Sequence, residues 1–273
     1  MKTGFRHFVV VIALGFGVVL TNACQTSPVP VESLVAEQDS LMSIIEQKIE
    51  SKQQQQAELE KFRKRQLPRN FSEQLKKYFP IIRKYTARYK LDWRLTIAQI
   101  LKESYFKENA MSNVGAMGLM QIMPRTAREI TSEIDIAYIT KDPHENITAG
   151  IYYMYKQLKN FPRADPDNRI MLALAAYNAG IARVYDAQDI ARVRQLDPNT
   201  WAAVKECLPL LTDEHWKLHL EVWELGHPTF GYFYGYEETI DYVDDIMKKY
   251  DAFRKMYRND VEHLSIEELS ASM

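Results

Sequence analysis

Two cysteines in 273 residues cannot staple a fold, so apolar packing and not a disulfide frame must hold this chain together. Net charge is nearly absent as well. The 35 basic and 36 acidic residues leave −1, and no whole-chain field draws the protein to a polyanion, so no nucleic-acid partner is expected. Alternating strand patterns are scarce and no repeat recurs at solenoid spacing. Long hydrophobic runs are missing too. The stretch Phe8–Leu20, "FVVVIALGFGVVL", is 13 residues, too short to cross a bilayer comfortably.

That short run follows the basic "MKTGFRH" and has the proportions of a secretory signal. Ala23 and Cys24 come next, which predicts a lipoprotein-type signal over residues 1–23 with Cys24 as the lipidated first residue of the mature chain. Ordinary cleavage nearby and an uncleaved anchor are the alternatives. Several acyl chains on one cysteine would satisfy the need for more than one chain in a stable anchor. The segment is similar to those of bacterial lipoproteins, and Gln25, where an inner-membrane retention signal has Asp, implies the outer membrane and a body facing the periplasm.

Residues 24–32, with Pro28 and Pro30, read as a tether. Residues 33–68 carry no glycine before Pro68 and are rich in good helix formers, which predicts one long helical arm. Its apolar stripe is interrupted by "SKQQQQ", so a spacer and a dimerisation helix both remain open. Residues 69–255 are helical in pattern almost throughout, and 256–273 form a tail. Asp92 is placed as the N-cap of "WRLTIAQILKES", Gly180 as the cap closing "RIMLALAAYNA", and Pro124 at the first position of "PRTAREIT". The fold class expected is all-α, with Cys207 as a buried small hydrophobe.

The chemistry is expected around Glu103. Ser104 follows at once, Ser112 lies nine residues on, and then comes "GAMGLMQIMP", Gly115 to Pro124. Glycines there permit positive φ or close backbone approach, methionines offer polarizable apolar surface, and Gln121 offers an amide for sugar hydroxyls. Together "ESYFKENAMSNVGAMGLMQIMP" and "ALAAYNAG" resemble the goose-lysozyme-like catalytic domain of the family 1 lytic transglycosylases. More narrowly, "RVYDAQDIARVRQLDPNTWAAVKECLPLL" and "YGYEETIDYVDDI" are similar to the carboxy-terminal part of the membrane-bound lytic transglycosylase F group. That group also carries a solute-binding-like domain for which the stretch from Cys24 to Arg69 is too short, and Glu108 stands where the family often has Pro.

The resemblance implies a lysozyme-like helical domain that cleaves the MurNAc-GlcNAc β-1,4 bond of peptidoglycan glycan strands, leaving 1,6-anhydromuramoyl ends. It makes Glu103 the catalytic acid/base. Ser112, Gly118, Met120, Gln121 and Met123 would meet the muramoyl sugar, Tyr177 and Asn178 would hold substrate, and Glu238 and Tyr242 would close the groove. No cofactor or metal is implied. An inactive wall tether and a hydrolytic muramidase on the same fold are the rival readings. Three further signals are set aside: "HWKLH", His215 and His219, as ordinary histidines; "KFRKRQLPR" as a helix end; and the aromatic loop "GHPTFGYFYGYEE" as either a core cap or a groove wall.

Overall fold

The computed structural model describes residues 31–257; the signal segment, Cys24 with most of the tether, and the tail past Tyr257 lie outside the described residues. Ten α-helices and two 3-10 turns make up these residues, and no strand occurs among them. The chain divides into two units at Gln55–Gln56. In the first, helix α1 (Val31–Gln66) presents Leu41, Met42, Ile44, Ile45 and Ile49 as exposed side chains.

The second unit holds α2 (Phe71–Tyr89), α3 (Trp93–Glu103), α4 (Pro124–Thr131), α5 (Pro143–Lys159), α6 (Pro166–Ala179), α7 (Ile181–Val193), α8 (Trp201–Cys207), α9 (Trp216–Val222) and α10 (Tyr236–Met256). Its middle is α6, which packs against α5, α7, α8 and α10. Leu172 to Ala176 are all fully buried, as a helix apolar on every side must be, and the three alanines let neighbouring backbones come close. The last turns of α1 belong to this unit, where Phe62 meets Phe253 edge-on at 5.7 Å.

Helix starts follow from short polar residues. Asp142 and Asp165 each precede a proline at the first helical position, and each carboxylate accepts two backbone N–H groups of the turn that follows. Pro124 opens α4, and Gly180, at φ 86°, closes α6 and lets α7 begin at once. Cys207 is free and fully buried, and burial raises its thiol pKa.

Two of the signals set aside also find their place. His215 ends a 3-10 turn, His219 lies buried in α9 with Nε2 2.7 Å from the Leu210 carbonyl, and His227 bonds the carbonyl beside it. Among the described residues no three His, Cys, Asp or Glu side chains converge. The aromatic loop is bound to α7, with Arg183 donating to the Phe230 and Gly231 carbonyls and Asp186 accepting from the Phe230 N–H, while Phe230, Tyr232 and Tyr234 remain exposed.

Candidate active site

Helix α3 holds Glu103 as its last residue, and both helix ends are fixed. At the start Asp92 accepts from the Arg94 N–H at 2.9 Å and from the Tyr250 hydroxyl at 2.8 Å, while Arg94 donates to the Tyr257 carbonyl at 2.8 Å. At the end Ser104 turns its hydroxyl onto the Leu119 carbonyl, 2.9 Å away. Between them every residue from Leu95 to Leu101 is buried, including Gln99. Tyr105 and Phe106 then take the left-handed conformation, which reverses the chain and seats Phe106 against Phe71.

The glycine- and methionine-rich turn follows. Ser112 closes its first half, its backbone N–H donating to the Ala116 carbonyl and its Oγ accepting from the Ala116 N–H, both at 2.9 Å. Gly118 sits at φ 81° against Asn146 of α5, where any Cβ would lie 2.5 Å from the amide carbon. Asn146 is the clamp. Fully buried, it donates to the Met117 and Ile139 carbonyls and accepts from the Met120 N–H, all within 2.9 Å.

Three tyrosines complete the surroundings. Tyr177 on α6, edge-on to Tyr153 at 5.0 Å, donates to the Met120 carbonyl at 2.8 Å. Tyr242 on α10 donates to Glu103 Oε1 at 2.5 Å and accepts from Gln99 Nε2 at 3.2 Å. One turn earlier on α10, Thr239 donates to Asn178 Oδ1 at 2.8 Å, and exposed Glu238 lies near enough for its charge to be felt at Glu103.

The electrostatics follow from this geometry. Glu103 as a residue is half-buried, yet its carboxyl is walled in, and the resulting loss of hydration lifts its pKa to about 8. The Tyr242 hydrogen bond and Lys102 pull the other way, and Glu238 adds to the rise. Burial also keeps the Tyr177 and Tyr242 hydroxyls neutral, with pKa values well above their ordinary value. A carboxylic acid that stays protonated near neutral pH is thereby held on a half-buried residue. Such a group can deliver a proton and take one back.

Residues 80–199 match the family model described as the transglycosylase SLT domain. Two curated relatives named membrane-bound lytic murein transglycosylase F are similar. That of Desulfosudis oleivorans is 36% identical over 184 residues, covering 66% of this chain and 37% of the relative. That of Shewanella halifaxensis is 33% identical over 184 residues, covering 67% and 35%. Residues 80–199 are a transglycosylase SLT domain. The whole chain spans little more than a third of the length of those relatives. A solved 70 kDa soluble lytic transglycosylase of Escherichia coli superimposes with a TM-score of 0.46 at 24% identity, covering 67% of this chain and 25% of that one.

The SLT domain contains Glu103, Ser112, the whole turn, Tyr177 and Asn178, whereas Glu238 and Tyr242 come from α10, beyond its end. Not all of these residues offer a side chain to a ligand. Met120 is fully buried over Gly150, where it occupies the space a Cβ would need. Gln121, in the left-handed region at φ 46°, spends its amide nitrogen on the Gly118 and Ala110 carbonyls at 2.8 and 3.1 Å. Met123 is 39% exposed and available for contact. Asn146, Thr239 and Gly150 escaped the reading of the sequence; only an Asn and a Gly four apart in an otherwise apolar stretch of "NITAGIYYM" hinted at a close approach.

Proposed function

We propose that this chain is a peptidoglycan lytic transglycosylase with Glu103 as its single acid/base. The observation that carries the reading is the Glu103 carboxyl itself, protonated near neutral pH through burial and held at one oxygen by the Tyr242 hydroxyl. Membership in the SLT domain family and the names of the similar relatives support the substrate class.

Ordinary glycosidases flank the scissile bond with two carboxyl groups. Here two other carboxylates close by in sequence are engaged elsewhere: Glu108 pairs with Lys77 at 2.6 Å, and Glu129 with Arg125 at 3.2 Å. One carboxyl is enough if the substrate supplies its own nucleophile. Glu103 gives its proton to the glycosidic oxygen as the bond from C1 to that oxygen breaks, and the substrate N-acetyl group helps carry the positive charge. The C6 hydroxyl then attacks C1, its proton passing to the Glu103 carboxylate. No water is consumed, the product is a 1,6-anhydromuramoyl end, and Glu103 returns to its starting state.

Gln99 adds a detail. Because Tyr242 accepts from Gln99, its one hydrogen is directed to Glu103 Oε1. The mobile proton therefore belongs on Oε2. Ser112, the Gly118–Met123 turn, Tyr177, Asn178 and Glu238 are proposed to shape and hold the sugar, several of them through backbone groups they position. Cys24 is proposed as the lipid anchor that places the enzyme on the outer membrane facing the periplasm; among the described residues no helix is long and apolar enough to cross a membrane. Acyl labelling that persists in Cys24→Ser would remove that part.

The deciding experiment is mass spectrometry of fragments released from purified sacculi by the full chain and by Glu103→Gln. Anhydromuramoyl ends from the former and none from the latter are expected. Reducing ends would instead mean a hydrolase, with Glu238 the first second acid to test. Retained sacculus binding without release would mean a tether.

A further inference from the structure

Away from Glu103, α2 and α5 gather four tyrosines on one surface. Tyr89 stacks on Tyr155 with ring centroids 4.9 Å apart, and its ring lies 5.5 Å from Tyr152 and 6.5 Å from Tyr85. Beside the stack opens a cleft of about 500 Å³, its wall formed by Tyr89, Tyr155, Leu91, Leu158 and Pro166, with Lys90 and Lys159 among its lining residues. This volume is in the range of sites that hold small ligands or short polymer segments.

The charge around the cleft is one-sided. The Arg88 guanidinium stands 5.8 Å from the Tyr89 centroid and Lys159 Nζ stands 5.5 Å from that of Tyr155. Among the described residues Arg88, Lys90 and Lys159 have no carboxylate partner, unlike Lys156, which pairs with Glu133 at 2.6 Å. The acid in the wall, Asp92, is committed to Arg94 and Tyr250, and the Arg169 guanidinium to backbone carbonyls. Arg88 and Lys159 thus stand over rings of the tyrosine shelf, and Lys90 and Lys159 line the concave space, none of the three with a carboxylate partner among the described residues. Rings offer flat apolar faces to sugar or peptide, and cations held over rings offer carboxylate contacts.

Position separates this cleft from the acid. Asp92 and Leu95 are at the first turn of α3 and Glu103 is its last residue, so the two places lie about 12 Å apart along one helix axis. We propose that the cleft is a second, non-catalytic site that holds the carboxylate-bearing stem peptides of the wall polymer, an inference that rests on the peptidoglycan reading above. A bilayer surface matches the charge but not the concavity.

The test compares the full chain carrying Glu103→Gln with the same chain also carrying Arg88→Glu and Lys159→Glu, both exposed positions. Binding is measured on intact sacculi, on sacculi stripped of peptides by an amidase, and on vesicles containing anionic lipid. The double reversal is expected to raise half-saturation on intact sacculi about tenfold and to make no difference on stripped glycan. Unchanged binding to intact sacculi overturns the site, as does an equal loss on stripped glycan. Loss confined to the vesicles overturns it in favour of a membrane contact. A second variant, Tyr155→Ala, is expected to weaken intact-sacculus binding with its salt dependence retained. Anhydromuramoyl release by the unaltered chain is scored separately, so an absent lyase activity and an absent docking site give different results.

Discussion

At the scale of one residue, the raised pKa of Glu103 fixes two signs. The acid form exists below about 8, so turnover should fall as pH rises through that value. Stability should move the same way: the folded pKa lies above the unfolded carboxylate value of 4.5, so the folded chain holds the extra proton between them and loses stability as pH climbs from one to the other. Glu103→Gln has no proton to lose. Its melting temperature should lack the Glu103 share of that decline and so exceed the parent's above the window, by an amount reflecting a few kcal/mol; parallel melting curves from about pH 5 to 9 would sink the idea. Tyr242→Phe removes the donor that favours the carboxylate, so the alkaline limb of the rate profile should shift upward while kcat drops about tenfold. A lower kcat with an unmoved limb would mean that Tyr242 merely packs. Glu103 was legible in the sequence because its surrounding motif is idiosyncratic. Gln99 was not, since its meaning depends on a hydroxyl 143 positions away.

At the scale of the element, the turn from Gly115 to Met123 is a loop whose shape is imposed by a helix. Asn146→Ala would strand one buried N–H and two buried carbonyls, at a cost of about 3 kcal/mol or more. Denaturant unfolding should show that loss, and activity should fall with it although Asn146 is not proposed to touch the sugar. Gly118→Ala meets both a positive φ and the Asn146 amide, so it should be at least as damaging; a stable, active variant would mean that the turn relaxes freely. Glycines, Pro124 and the Asp92 cap could be read from composition alone. The Asn146 clamp and the burial of Met120 over Gly150 could not, because each joins segments that only tertiary packing brings together. Methionine in such a turn is compatible with both core and groove, and Met120 and Met123 divide between the two.

At the scale of the whole molecule, every buried core residue among those described lies past Gln56, from Phe71 to Tyr257. A chain beginning at Gln56 should therefore melt within a few degrees of the parent and release the same fragments from sacculi in solution. A large drop in melting temperature would assign the arm a stabilising role. The all-α class was legible because helical periodicity recurs in segment after segment while strand alternation is scarce. The resemblance already puts Glu238 and Tyr242 of α10 at the groove; that the same helix also closes the core through Val243, Ile246, Tyr250 and Phe253 was not legible, because it depends on packing against distant segments.

That double duty has a consequence for heredity. On α10, Thr239, Tyr242, Val243, Ile246, Tyr250 and Phe253 are all buried, the first two next to the site and the last against Phe62 and Phe71. Glu237, Asp241, Asp244, Lys248 and Asp251 are all exposed. A single helix thus carries two clocks: substitutions should accumulate freely on its outer face, while a change on the inner face risks catalysis and folding at once, so lineages that lose the chemistry would still be obliged to keep much of the helix that served it.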